Sequence, residues 1–241
     1  MRYAIFADIH SNREALLSVL QACRDSGARK LFCSGDVVGY GPDPKNCIDI
    51  IKSEDITCIA GNHDWAVAGK IAFDEFNTQA KSAVEWTTER LPVPYKEFLG
   101  GLPLSTECND FVLTHGSLDY PQRFRYLDDI RDSADTFFLM AKNVCFIGHT
   151  HVPQVFAQKG RVIALTEGKK LYLDRKAKYI VNVGSVGQPR DNDPRAAFCI
   201  FDPDLMTVEI KRVSYDISAC QGKMYIAGLP EFLIRRLAVG Q

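Results

Sequence analysis

The chain has almost no net charge, no long apolar run, no C-x-x-C cysteine pair and no low-complexity tract. A formal charge of -1 over 241 residues gives no general attraction to nucleic acid or to an anionic membrane surface, since both need a basic excess. Apolar segments such as Tyr3 to Ala7 and Val144 to Ile147 are far shorter than the roughly 20 residues that cross a bilayer as a helix. The first residues already read as a strand, without the charged, apolar and small-residue layout of a secretory signal. A cytoplasmic protein is expected. The eight cysteines are scattered and mostly set in apolar segments (Cys33, Cys58, Cys145, Cys199). They read as small buried thiols in a reducing compartment, against a disulfide framework or a cysteine–zinc site.

What is present is ample apolar content, 46% of residues, with no linker-like stretch and no internal repeat. One domain spanning residues 1–241 is expected. Its front alternates strand and helix. RYAIFADI is followed by SNREALLSVLQACRDSG, where Ser11 and Glu14 form a capping-box pattern and Ala15, Leu16, Val19, Leu20 and Cys23 fall on one helical stripe. KLFCSGD, ITCIAGNHD, FVLTHG and VCFIGHTH repeat the strand-then-loop pattern, with helices expected over Pro44 to Lys52, Asp74 to Arg90 and Ser133 to Lys142. The prolines of LPVP end the second of these. VIALT, KLYL, YIVNVG, AAFCIFD and VEIKRV then read as a mainly antiparallel set of strands. Two packed sheets with helices outside accommodate both halves.

The polar clusters share one position: each follows an apolar strand, where loops converge in α/β folds. They are Asp8-Ile9-His10, Gly35-Asp36, Gly61-Asn62-His63-Asp64, Thr114-His115-Gly116 and Gly148-His149-Thr150-His151. The chain has only five histidines, and all five lie in these clusters. Any one alone would read as a structural or surface histidine; five together point to a metal centre. In an extended segment, side chains at i and i+2 share a side. Asp8 with His10, and His149 with His151, can thus each offer two ligands to one centre. Asp36 can bridge two ions, and Gly35, Gly39 and Gly41 let the backbone turn closely around them. Mixed imidazole and carboxylate ligands suit manganese, iron or zinc better than magnesium or calcium.

Two divalent ions carry four positive charges, against two negative ones from Asp8 and Asp36. The excess attracts an anionic phosphate and lowers the pKa of a bound water toward ~7. His63 is then left to protonate the departing oxygen, with Asp64 either orienting its imidazole or serving as a turn and capping residue.

The ordered set D-x-H, GD, GNHD, H-G and GHTH resembles the calcineurin-like metallophosphoesterases from Asp8 to His151, and VNVGSVGQPRDND extends the resemblance to about Asp193. It implies an α/β four-layer sandwich, with two central mixed β-sheets between helical layers. It also implies two divalent metal ions, manganese first, with iron or zinc as alternatives. Carried over by position, one ion would be held by Asp8, His10, Asp36 and His151, the other by Asp36, Asn62, His115 and His149. His63 matches the family's general acid. DIHSNREAL and GDVVGYGPDP are similar to a small bacterial branch of phosphodiesterases and dinucleoside polyphosphate hydrolases. Protein Ser/Thr phosphatases carry an arginine just after the GD motif, where this chain has Val38-Gly39-Tyr40-Gly41.

The expected activity is hydrolysis of phosphodiester or phosphoanhydride bonds in a small nucleotide-type substrate, by metal-activated hydroxide. The alternatives are a phosphomonoesterase or protein phosphatase and, in another class, a non-catalytic metal-binding scaffold for proteins. Asn12, Arg13, Tyr40 and Arg190 are candidate substrate contacts, Arg190 through bidentate binding of phosphate. Trp65, Trp86, Phe73 and Phe76 read better as packing residues than as a nucleotide cleft. Seven candidate ligands exceed the three or four of a mononuclear site. The His63-Asp64 pair follows a strand and a glycine, which argues against an HD-type phosphohydrolase, where that pair sits on a helix.

Overall fold

The structure is a computed structural model that describes residues 1–74, 76–158 and 168–241, and the backbone alone of 161–163. In chain order the elements are β1 (Tyr3–Phe6), α1 (Arg13–Asp25), β2 (Lys30–Cys33), α2 (Pro44–Ser53), β3 (Thr57–Cys58), α3 (Asn62–Val67), α4 (Thr78–Arg90) and α5 (Val93–Gly101). They continue as β4 (Ser105–Glu107), β5 (Val112–Thr114), α6 (Ala134–Leu139), β6 (Val144–Ile147), β7 (Gln154–Ala157), β8 (Arg161–Ile163), β9 (Lys170–Tyr172), β10 (Tyr179–Asn182), β11 (Ala196–Asp202), β12 (Thr207–Val213), α7 (Ile217–Ile226) and α8 (Glu231–Arg236).

These strands form two six-stranded mixed sheets, ordered β3-β2-β1-β11-β12-β9 and β4-β5-β6-β10-β7-β8. Within each sheet three neighbours run parallel, β1, β2 and β3 in one and β5, β6 and β10 in the other. The strands flanking each trio are antiparallel to it. Side-chain alternation divides the core into layers. Tyr3, Ile5, Cys199 and Phe201 meet Phe146, Val144 and Val181 of the opposite sheet. Ala4, Phe6, Phe198 and Ile200 turn outward onto α1 and α2. Cys145, Ile147 and Ile180 face the other way, onto Phe137 and Met140. The result is the expected four-layer α/β/β/α sandwich.

Phe111 sits at the middle of the inter-sheet layer, fully buried, with ring centroids 4.9 Å from Phe32, 5.2 Å from Phe146 and 5.7 Å from Tyr3. Phe111→Ala would leave a cavity that two sheets cannot both close upon. It is expected to destabilise the protein by about 3–5 kcal/mol, read as a lower urea midpoint at unchanged slope.

Several expected boundaries move. The first helix is capped by Asn12, whose Oδ1 accepts from the Ala15 amide at 3.1 Å. Ser11 cannot cap, because its backbone is left-handed (φ 55) and its own amide donates to the Val37 carbonyl. Asn77 caps α4, so that helix starts later than Asp74, and α6 is shorter than Ser133 to Lys142. Pro92 and Pro94 end α4 but also open α5, since proline suits a first helical turn. Of the VIALT strand, 162–163 lie in β8 and 164–166 lie outside the described residues. Helices α7 and α8 close the chain where only strands were expected. No described helix is long and apolar enough to cross a membrane.

Candidate metal centre

The two parallel trios place their carboxyl ends side by side. Asp8 follows β1, Asp36 follows β2, Asn62 opens α3 just after β3, His115 follows β5, and His149 and His151 follow β6. The loop after β10 brings Gln188 and Arg190. The loops stay paired through backbone bonds, among them Asp8 N–H to Gly35 O (3.0 Å), His10 N–H to Asp36 O (3.0 Å) and Gly148 N–H to His115 O (3.0 Å).

The side chains do not converge by strand alternation. Asp8, His10, Asp36, His149 and His151 all have positive φ, between 47 and 71. A left-handed residue is unfavourable for anything with a Cβ, and such conformations gather at functional sites. Each strand ends before its motif, and the left-handed turns redirect these five side chains. Gly61 is required for a different reason: a Cβ there would lie 2.1 Å from Asp36 Oδ1.

The turns produce three groups in which one polar atom of each residue lies within 4.8 Å of the others: Asp8, His10 and His151; Asp36, His115 and His149; and His10, Asp36 and His63. His149 and His151 therefore fall in separate groups rather than serving one centre. Asp36 Oδ2 is 3.6 Å from His10 Nε2 and 3.3 Å from His115 Nε2, so it stands between the first two groups. Asp8 Oδ1 is 3.5 Å from His151 Nε2. Asn62 Oδ1 completes the set, 3.2 Å from His115 Nε2.

The donor chemistry fits a cation. His10, His115 and His151 each place Nδ1 against a backbone carbonyl, of Val38 (3.0 Å), Ser34 (2.7 Å) and Gln188 (2.6 Å). A carbonyl only accepts, so Nδ1 carries a proton, and in its neutral form each ring turns an Nε2 lone pair inward. His10 Nε2 and His151 Nε2 then face each other at 3.1 Å. Two lone pairs at that distance repel unless a positive charge lies between them. His149 Nε2 is likewise buried without a hydrogen-bond partner.

Burial and mutual charge set the protonation of this cluster. Burial raises Asp8 to about 7, against the pull of His115. Burial also acts to raise Asp36, but His115, His63 and His10 together hold it below the ordinary carboxylate range. Burial works against a charge on His115, yet the Asp36 and Asp8 carboxylates lift it to about 10. Burial pushes His10, His149 and His151 well below the usual imidazole value. His10, His149 and His151 are thus neutral, whereas His115 keeps its proton beside Asp36, and Asp8 is raised toward neutrality. A bound cation would displace those two protons, since neutral imidazole and ionised carboxylate are the forms that bind metal.

His63 is buried, with its ring 4.9 Å from His10, 4.5 Å from Tyr40 and 5.2 Å from Phe76. Its amide donates to Asp36 Oδ1 at 2.9 Å, while its Nδ1 has no partner. Asp64 does not orient it, and both residues lie within α3 (Asn62–Val67), so the expected contrast with a helix-borne His-Asp pair does not hold. The Asp64 carboxylate instead accepts from the Val38 amide (3.1 Å) and the Gly61 amide (3.0 Å), capping α3 and tying two motif loops together. Asp64→Asn replaces one acceptor oxygen by a donor facing an amide. It is expected to cost about 2 kcal/mol of stability, seen as a lower unfolding midpoint with metal removed.

Of the other candidate contacts, Tyr40 lines the cleft above the cluster and Arg190 lies beside it, its Nη2 3.4 Å from the Tyr40 hydroxyl. Asn12 is turned away: Oδ1 caps α1 and Nδ2 donates to Gly187 O at 3.0 Å. Arg13 is exposed on α1. The cleft holds about 680 Å³ and is walled by Tyr40, Phe76, Phe124 and Tyr126. Phe76 thus belongs to the cleft, whereas the Trp86 ring nitrogen is held by the Ala227 carbonyl (3.0 Å). Tyr126 had no sequence signal; it stacks on His149 at 3.9 Å and 21°.

The sequence pattern of the calcineurin-like phosphoesterase superfamily domain matches residues 1–205. An uncharacterised protein of Methanocaldococcus jannaschii is 40% identical over 242 residues, covering 99% of this chain and 98% of that protein. The phosphodiesterase YfcE of Escherichia coli is 25% identical over 213 residues, covering 86% of this chain and 91% of its own. A metallophosphoesterase structure from Sphaerobacter thermophilus superposes with a TM-score of 0.88 at 38% identity, covering 100% of this chain and 99% of that one. The chain belongs to the calcineurin-like phosphoesterase superfamily.

Proposed function

We propose that this chain is a dinuclear metal-dependent phosphoesterase acting, as one domain, on phosphodiester or phosphoanhydride bonds of a nucleotide-type substrate. The observation that carries the reading is the buried set of inward Nε2 atoms grouped around Asp8 and Asp36. Asp8, His10 and His151 would hold one ion, Asn62, His115 and His149 the other, and Asp36 both. Manganese is the expected metal, with iron or zinc as alternatives. Bound ions of this kind supply Lewis acidity to phosphoryl oxygens and acidify a water.

The protein groups supply the rest. Arg190 offers a guanidinium to the non-reacting phosphate oxygens. His63 borders the cleft, where it delivers a proton to the departing oxygen. Tyr40, Phe76, Phe124 and Tyr126 present rings on which a base can stack. The likeness to YfcE, a phosphodiesterase, supports the reaction class. Eight free cysteines, seven of them buried, support a reducing compartment, the cytoplasm.

The test is metal analysis joined to a substrate panel with added manganese: diadenosine tetraphosphate, cyclic nucleotides, p-nitrophenyl phosphate and its bis-ester. Two ions per chain and turnover of a nucleotide substrate are expected. Two bound ions with no turnover of any phosphoester or pyrophosphate would establish the scaffold instead, and turnover of monoesters alone would overturn the substrate class.

A further inference from the structure

Residues 206–241 lie beyond the matched domain, yet they reach the site. Helices α7 and α8 pack Cys220, Met224, Leu229, Leu233 and Leu237 onto Tyr40, Ala80 and Ala83. Lys223 anchors α7 to Glu14 at 2.7 Å and to Asp43. The packing fixes the last turn of α8, where Arg236 Nη1 donates to Gln188 Oε1 at 3.0 Å. Arg190 Nη2 donates to that same oxygen at 2.9 Å. Two guanidinium groups thus share one neutral acceptor.

Neither arginine has a side-chain carboxylate partner among the described residues. Arg190 otherwise meets Tyr40; Arg236 meets the Phe232 ring, at 5.1 Å, and the Gln241 backbone oxygen. The two donors fix which way the Gln188 amide points, and its Nε2 is then buried with no acceptor. Arg190 Nε is buried without one as well. Like charges brought together and donors left unpaired are costly inside a protein unless an anion completes them. Burial, then the Arg190 charge, lowers Arg236 to about 10. Gln188 also holds the His151 ring through its carbonyl, and Tyr40 lies 4.5 Å from the His10 ring. The cluster therefore adjoins the metal centre.

We propose that Arg190, Gln188 and Arg236 form a subsite for a second phosphoryl group next to the one under attack, so that this chain prefers phosphoanhydride chains to single phosphodiesters. The subsite rests on the phosphoesterase reading above. Losing one charge-assisted contact should cost about tenfold in affinity. In the manganese-loaded full chain, Arg236→Gln should therefore reduce kcat/KM for diadenosine tetraphosphate about ten times more than for bis-p-nitrophenyl phosphate, mainly through KM. Arg236→Lys should recover most of the difference. Inhibition by inorganic tripolyphosphate should weaken about tenfold more than inhibition by orthophosphate. Equal losses on both substrates, or none, would overturn the subsite, and equal losses that lysine does not relieve would mark Arg236 as a structural support of α8. If the wild-type chain turns over neither substrate, the enzymatic reading fails. Calorimetric binding of tripolyphosphate to wild type and Arg236→Gln then decides the subsite alone: equal affinities refute it.

Discussion

Asp36→Asn is expected to reduce bound metal from two ions to one or none after gel filtration, and to lower turnover by about three orders of magnitude. The substitution preserves size and, because asparagine tolerates left-handed backbone, also preserves the φ of 56 at this position. What changes is the charge and one terminal atom. Asp36 Oδ2 faces His10 and His115 at 3.6 and 3.3 Å, while Oδ1 accepts the His63 amide. An asparagine must put its NH2 on one side or the other. Facing the histidines, it sets a donor in the space a cation needs; facing the His63 amide, it opposes donor to donor. Either orientation also removes one of the two negative charges set against four positive ones. Metal content by plasma emission, with turnover of bis-p-nitrophenyl phosphate, checks the outcome. Two tightly held ions in Asp36→Asn would refute the bridging role.

The positions of the motifs were readable because chemistry and strand ends coincide. An apolar run such as FVLT or VCFI must be buried, and a polar Gly- or His-containing segment straight after it must leave the sheet at its carboxyl edge. Five such edges are visible in sequence order, without the pairing that sets them side by side. Alternation does not explain the convergence, since periodicity describes extended backbone and five of the seven candidate ligands, Asp8, His10, Asp36, His149 and His151, occupy left-handed turns, which leave no periodic trace. Asp64 was ambiguous for a related reason: a carboxylate beside a histidine looks the same whether it accepts from the ring or from the amides of Val38 and Gly61. Tyr126 and Arg236 were not found because no motif carries them. Arg236 reaches Gln188 only through the packing of α7 and α8 on Tyr40. In α7, moreover, Tyr225 and Ile226 are exposed beside a buried Met224, which blurs the helical stripe.

His63→Ala should lower turnover by about 10²–10⁴-fold, the range for a lost general acid, while both ions stay bound. The loss should depend on the leaving group. p-Nitrophenolate departs readily without a proton, whereas a ribose alkoxide does not, so a cyclic nucleotide should suffer at least about tenfold more than bis-p-nitrophenyl phosphate. His63 also stands in one group with His10 and Asp36, which makes a ligand role the rival explanation; loss of metal in parallel with activity would establish that role. A packing role is the second rival, because the ring is wedged between Tyr40 and Phe76 and a Cβ on Gly39 would come within 2.5 Å of His63 Nδ1. Added imidazole separates the two functions of the ring. It can occupy the space left in His63→Ala and carry a proton, so turnover of the cyclic nucleotide should rise with its concentration. A hydrocarbon of similar size fills the same space without a proton to give and should restore nothing. Rescue by both, or a leaving-group-independent loss, would place His63 among the supports of the cleft rather than at the departing oxygen.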